Sequence, residues 1–208
     1  MDYAAALSDA QRLGYAEADP TADVCGLDTR RKLVLSANIA YGVSISESDV
    51  PCFGIANITA EDMRFFEENG LACRLIGHAE RHFGTISAAV EPMLFGVDAG
   101  EARVYECGNM MRLCAAHMGG QSFLGAGAGA YPTGSNVLAD CRAIAEGCSA
   151  FYIDSFTRAQ VDNSRAYQRY YIRKQGCAPV ITAPLSVEQA HAMCREEGFC
   201  GFMAAIAE

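Results

Sequence analysis

Between Gly14 and Lys32 the chain sets Glu17, Asp19, Asp23 and Asp28 ahead of a lysine that follows the last of them by four residues. The run leads straight into an apolar stretch, Leu33-Val34-Leu35-Ser36-Ala37-Asn38-Ile39-Ala40. Asp28 and Lys32 stand at i and i+4, so a helix over this region puts both on one face of its first turns. The N-terminal end of a helix and partial burial both favour a neutral amine, and an adjacent carboxylate favours the ammonium. A lysine balanced in that way can deliver a proton to a developing alkoxide and take it back in the reverse direction. Glu17 and Asp23, on a loop held by Pro20 and Gly26, are suited to clamp a cationic group such as an α-amino group. The same residue types also fit a plainer arrangement, with Asp28 as N-cap, Lys32 in water and a solvated acidic loop.

Local patterns define the elements that must hold these groups. Residues 3–13 read as a helix ended by Gly14. A loop covers 14–27, and a helix runs from about Asp28 to Tyr41, closed by Gly42. Thr59-Ala60-Glu61-Asp62 resembles a capping box at the start of a helix over 60–69. Residues 71–80 and 85–95 alternate as two strands about Phe83-Gly84, a hairpin. A second hairpin is predicted from 110–117 and 121–125 around Met118-Gly119-Gly120. Pro132-Thr133 opens a helix that lasts to about Glu146. Beyond it come strands at 167–173 and 178–182, a helix at 187–197 capped by Ser186 with Gln189, and a strand at 199–206. Clear periodicity lapses between 148 and 165.

Composition narrows the function. The 208 residues carry 25 acidic against 16 basic side chains, a formal charge of −9, which disfavours nucleic acid or an anionic membrane as partner. No apolar run reaches the ~18 residues of a membrane span, and Met1-Asp2-Tyr3-Ala4 does not begin a secretory signal. The ten cysteines show no Cys-x-x-Cys spacing. They read as reduced, small hydrophobes of a cytoplasmic protein. His78-Ala79-Glu80-Arg81-His82 has its glutamate one place late for a zinc-binding helix, so no metal is expected. No strand–Gly-x-Gly-x-x-Gly–helix unit opens the chain, so a dinucleotide-binding domain is not recognisable in it.

The order of residues adds a sharper reading. Ala10-x-x-x-Gly14-Tyr15-Ala16-x-x-Asp19-Pro20-x-x-Asp23-Val24-x-Gly26-x-Asp28-x-x-x-Lys32 resembles the signature of the homoserine dehydrogenases. The likeness continues through Asp49-Val50-Pro51, Gly54-Ile55, Ile58-Thr59-Ala60-Glu61-Asp62, Arg74-Leu75-Ile76-Gly77 and Gly125-Ala126-Gly127-Ala128-Gly129-Ala130-Tyr131-Pro132-Thr133, to about residue 147. The resemblance implies NAD- or NADP-dependent interconversion of aspartate 4-semialdehyde and homoserine, on the route to threonine and methionine. It implies Lys32 as proton donor to the aldehyde oxygen, Asp28 as its support, Glu17 and Asp23 as holders of the substrate amino group, and Tyr15 as an aromatic wall of the pocket.

Read alone, the Gly125–Ala130 run is a close-packed strand-to-helix turn. The resemblance implies that Gly125, Gly127, Ala128 and Gly129 approach the nicotinamide through their backbone; position 126 carries a larger residue in many relatives, and here it is Ala126. The fold implied is a two-layer α/β domain with a mixed, largely antiparallel sheet and helices on one face. It spans 1–147, assembles as a homodimer, and is followed over 148–208 by a small α/β tail resembling a shortened ACT region. The resemblance also implies a nucleotide-binding region ahead of this sequence, and hence little turnover by the chain alone. A non-catalytic regulatory or interaction subunit of the same fold, and an oxidoreductase for another amino-acid aldehyde, remain alternatives.

Overall fold

A computed structural model describes residues 3–14, 18–82, 84–148 and 157–207. The elements, in chain order, are α1 (Tyr3–Arg12), α2 (Thr21–Val24), α3 (Leu27–Tyr41), β1 (Val43–Ser44), α4 (Ala60–Glu68), β2 (Leu71–His82), β3 (Thr85–Gly96), β4 (Gly108–Ala115), β5 (Gly119–Ala126), α5 (Ala130–Ala145), β6 (Thr157–Arg158), β7 (Tyr167–Lys174), β8 (Val180–Ile181), β9 (Leu185–Ser186), α6 (Val187–Arg195) and β10 (Gly201–Ile206). None of the described helices is long and apolar enough to cross a membrane.

The β2–β3 hairpin is the spine, paired without a break from Leu71 opposite Gly96 to His82 opposite Thr85. The main sheet runs in the order β2-β3-β10-β7-β8, with β9 also pairing β7. β10 lies parallel to β3 and antiparallel to β7. Strands of the C-terminal segment therefore complete the sheet that β2 and β3 begin. Ile86 to Pro92 of β3 is buried at every position. Continuous burial of that kind means that both faces of the strand are covered.

Coverage of the two faces comes from different helices. Val34 and Ala37 of α3 pack with Ile86, Ala88 and Val90. Phe66 of α4 packs with Leu94, Tyr171, Phe202 and Ala204. Successive strand residues point to opposite faces. Ala190 of α6 accordingly packs on the other side, against Tyr170, Ile172, Met203 and Ala205. The mixed α/β sheet is as the sequence indicates, and the one-sided arrangement of helices applies to α3 and α4. α6 covers the second face because β7 and β10 are apolar at both strand parities.

Burial alone does not account for the tie between α4 and β7. The capping box of α4 forms, with Asp62 Oδ2 accepting from the Thr59 N–H and hydroxyl at 2.8 Å each. Asp62 is fully buried and its other oxygen accepts from Arg173 Nε at 2.6 Å and the Tyr171 hydroxyl at 2.7 Å. Burial raises the Asp62 pKa, and the bonds from Arg173, Tyr171 and Thr59 outweigh it, leaving the group below its ordinary value.

β4 and β5 form a separate two-stranded ribbon, and α5 follows it. No residue of α5 is buried, and Tyr131, Val137, Leu138 and Ile144 are exposed.

Candidate active site

The acidic turn is pinned by its neighbours rather than by its own charges. Gly26 adopts φ 77° and is the N-cap of α3, so the cap is backbone geometry and not the side chain of Asp28. Arg30 N donates to Gly26 O at 2.9 Å, which starts the helix. The preceding α2 is laid against the 52–55 segment. Ile55 N donates to Val24 O at 2.8 Å, and the Cys52 thiol to Cys25 O at 3.0 Å. Gly54 passes so close that a Cβ there would lie 2.2 Å from Val24 O. The same segment is held to the sheet: Phe53 N donates to Val90 O at 2.8 Å and Val90 N to Pro51 O at 2.9 Å. A continuous set of backbone bonds thus fixes the start of α3 to the middle of β3.

Asp28 lies in the first turn of α3, and Lys32 one turn on. Lys32 Nζ is 2.7 Å from Asp28 Oδ2, with the two side chains 57% and 42% exposed. The pair predicted from spacing is formed. The partial burial expected of Lys32 is not: α3 turns only Val34 and Ala37 fully inward, and leaves Leu35 and Ile39 in solvent beside Lys32. The outward apolar residues give α3 a second apolar side that spacing alone did not separate from the first.

Asp19 is drawn into the turn. Its Oδ1 accepts from the Thr21 N–H at 3.1 Å and hydroxyl at 2.6 Å. These bonds lower its pKa. It therefore orders the turn before α2. Asp23 sits in α2 and is exposed. Tyr15 and Glu17 lie outside the described residues. Two clefts of about 480 Å³ each open elsewhere on the surface, and neither has Asp28 or Lys32 in its wall. The Asp28–Lys32 pair faces outward from an open surface.

The glycine-rich turn has three different physical reasons for its residues. Gly129 adopts φ 121° ahead of α5. A Cβ at Gly127, just past β5, would lie 1.7 Å from Asn109 Nδ2, so any side chain there must push the exposed Asn109 side chain aside. Gly125 would meet nothing within 4 Å, and its backbone is open to a flat group. Ala128 is half-buried. Among the described residues no pyrophosphate cradle of the strand–Gly-x-Gly-x-x-Gly–helix kind accompanies the turn.

A buried charge cluster escaped the sequence reading. Glu91 of β3 is fully buried, with His78 Nε2 at 2.9 Å from Oε1 and His191 Nε2 at 2.9 Å from Oε2. Burial pushes the Glu91 pKa up, and the bonds and charges of His191 and His78 more than reverse this, holding it at about 2. The signal was a glutamate within the apolar run Ala88-Ala89-Val90-Glu91-Pro92-Met93-Leu94. Such a group must be paired.

Residues 1–141 match the family model described as homoserine dehydrogenase. The protein class is therefore a homoserine dehydrogenase-type domain of mixed α/β fold. The chain belongs to the homoserine dehydrogenase family. It is 37% identical over 142 residues to the homoserine dehydrogenase of Bacillus subtilis (strain 168), covering 68% of this chain and 33% of that one. It is 41% identical over 144 residues to the enzyme of Corynebacterium glutamicum, covering 67% and 32%. An NAD(+)-dependent homoserine dehydrogenase of Pseudomonas canavaninivorans is 38% identical, with 67% of this chain and 40% of that one covered. The chain thus spans about a third of the length of these relatives. A homoserine dehydrogenase structure from Thiobacillus denitrificans superposes with a TM-score of 0.79 at 23% identity, covering all of this chain and 59% of that one. One from Archaeoglobus fulgidus, described as a putative homoserine dehydrogenase, gives 0.58 at 34% identity over 69% of this chain and 43% of that one.

Proposed function

We propose that the chain carries the substrate-side chemistry of homoserine dehydrogenase, the interconversion of L-aspartate 4-semialdehyde and L-homoserine with NAD or NADP, in threonine and methionine biosynthesis. The observation that supports it most directly is the Asp28–Lys32 pair on the first turns of α3. Lys32 donates a proton to the aldehyde oxygen as negative charge develops there, and takes it back from the alcohol in the reverse direction. Asp28 holds the amine in place and restores its charge balance. Glu17 and Asp23 hold the substrate ammonium, and Tyr15 lines the pocket. The nicotinamide, when bound, supplies the hydride. Gly125, Gly127, Ala128 and Gly129 offer backbone to it, with Gly125 the unobstructed position.

The reading places catalysis within 1–147, with the 148–208 segment completing the sheet, in a cytoplasmic homodimer. The free cysteines suit a reducing compartment. Turnover by the chain alone is small, because its described residues provide one end of a dinucleotide site and not the rest.

The test supplies a separate nucleotide-binding half to the purified chain and follows oxidation of NADPH and of NADH with aspartate 4-semialdehyde, with homoserine identified as product. Activity that appears only with the added half supports the reading. No activity, with assembly intact, points instead to a non-catalytic subunit. A different alcohol as product points to another amino-acid aldehyde. Rapid turnover by the chain alone overturns its dependence on the other half.

A further inference from the structure

Two of the ten cysteines meet at the turn that leads into α3. Cys25 directly precedes Gly26, the N-cap of that helix, and Cys52 lies on the segment bonded to Val90 of β3. The Cys52 thiol donates to the carbonyl oxygen of Cys25, with its sulfur 3.0 Å away. A carbonyl oxygen lies about 3 Å from the Cβ of its own residue, which puts the Cys52 sulfur within about 6 Å of Cys25 Cβ. The two stretches of backbone run in contact beside them, since a Cβ at Gly54 would lie 2.6 Å from Cys25 Cα. A Cβ at Gly26 would lie 3.0 Å from the Cys52 sulfur, so the glycine keeps a side chain out from between the two.

The thiols differ in access. Cys25 is exposed and Cys52 half-buried, and both line one cleft of about 480 Å³ that opens to solvent. Burial pushes the Cys52 pKa up, Arg30 pulls it down, and negative charge on Cys25 pushes it up again, for a net rise. An accessible thiol beside a shielded one is the arrangement in which the first is oxidised and the second resolves it. A disulfide needs its Cβ atoms about 3.5–4.5 Å apart. The contact of the Cys52 sulfur with Cys25 brings the pair towards that range, and rotation about the two Cα–Cβ bonds aims the sulfurs. No third residue joins the pair in a metal-ligating set among the described residues.

We propose that Cys25 and Cys52 are a modification site, joined by a reversible disulfide when the chain meets a peroxide. The Cys25 thiolate attacks one oxygen of hydrogen peroxide; the S–O bond forms, the O–O bond breaks, and the other oxygen leaves as hydroxide, which takes the Cys25 proton as water. Cys52 then attacks the sulfenic sulfur of Cys25; the S–S bond forms, the S–O bond breaks, and the oxygen leaves as a second water with the Cys52 proton. The two thiols lose two electrons and two protons, and the peroxide gains them. A dithiol reverses the bond by exchange. The disulfide replaces a hydrogen bond with a covalent link between the turn ahead of α3 and the segment held to β3. Its bearing on Asp28 and Lys32 rests on the proposed role of that pair; the bond itself does not, and it is tested without turnover.

The purified 208-residue chain is treated with hydrogen peroxide, quenched with iodoacetamide and digested with trypsin in the absence of reductant. The tryptic peptides 13–30 and 33–64 carry Cys25 and Cys52 and no other cysteine. The expected result is one linked species of these two peptides, lighter than the sum of the unalkylated pair by two hydrogens. It should form at a rate independent of protein concentration and disappear with dithiothreitol. C52S should leave Cys25 as a sulfenic acid that dimedone traps, and C25S should leave Cys52 open to iodoacetamide. C141S, which changes an exposed cysteine on α5, should form the link at the parent rate. The parent chain carries the decisive measurement, so a variant that folds poorly does not hide the answer. Absence of the link in the parent chain at peroxide that oxidises its other exposed cysteines, or links spread over several cysteine pairs, overturns the site.

Discussion

His191 Nε2 on α6 lies 2.9 Å from Glu91 Oε2 on β3, one hundred residues earlier in the chain. The bond joins the C-terminal helix to the strand whose Val90 holds the segment behind the acidic turn. Glu91 also takes His78 of β2 at 2.9 Å, so one carboxylate links three elements. Its stability contribution follows from its pKa, which drops from an ordinary 4.5 to about 2 on folding. A carboxylate depressed in the folded state stabilises above its unfolded pKa, and that contribution is lost as pH falls from about 4.5 towards about 2. The shift corresponds to on the order of 3 kcal/mol. Urea midpoints measured across that range should fall more steeply in the parent chain than in Glu91→Gln. Parallel slopes would remove Glu91 from the acid response.

Asp62 and Arg173 test a buried pair in which both partners are needed. Arg173→Leu leaves a carboxylate without its guanidinium in the core, at a cost of about 3–5 kcal/mol. The double variant Asp62→Asn with Arg173→Leu should recover a good part of that loss, because no charge is then left unpaired. Chemical denaturation of the two variants measures it. Equal stability in both would mean that the ion pair is not what holds α4 to β7.

Lys32→Ala separates chemistry from folding. The pair is more than a third exposed, so its removal should change stability by less than about 1 kcal/mol. Turnover with the nucleotide-binding half supplied should drop about 10²–10⁴-fold. A variant that keeps parent turnover takes Lys32 out of the mechanism.

Gly54→Ala addresses the turn indirectly. The added methyl meets Val24 O at a distance no real Cβ shows, so the 52–55 segment or α2 must move. A loss of about 1–3 kcal/mol is expected, and turnover should fall with it because α2 precedes the helix that carries Asp28 and Lys32. An unchanged unfolding midpoint would contradict the close approach.

Gly125→Val and Gly127→Ala should behave oppositely. Position 125 is open, so valine there should fold as well as glycine and raise the cofactor KM of the reconstituted enzyme. Position 127 faces Asn109, so even alanine should loosen the ribbon, visible as a lower melting temperature. If both act on stability alone, the turn is structural only.

Much of the molecule could be read from residue order. The capping boxes at Thr59–Asp62 and Ser186–Gln189, the Gly42 stop and the long hairpin depend on neighbours a few residues apart, and all are present. The i, i+4 spacing of Asp28 and Lys32 likewise settles that they meet. What spacing cannot carry is the partner at long range. Glu91 with His191 and Asp62 with Arg173 join residues whose meeting depends on how β10 and β7 line up beside β3, and Gly54 meets Val24 because the 51–53 segment is bonded to Val90 of β3. Local bonding is encoded by the chain's own periodicity, whereas burial, and with it the balance of charge, is set only when separate elements close on one another. That is why the sequence determined which amine meets which carboxylate, and only the tertiary structure decided that Lys32 stands in solvent while Glu91 is enclosed.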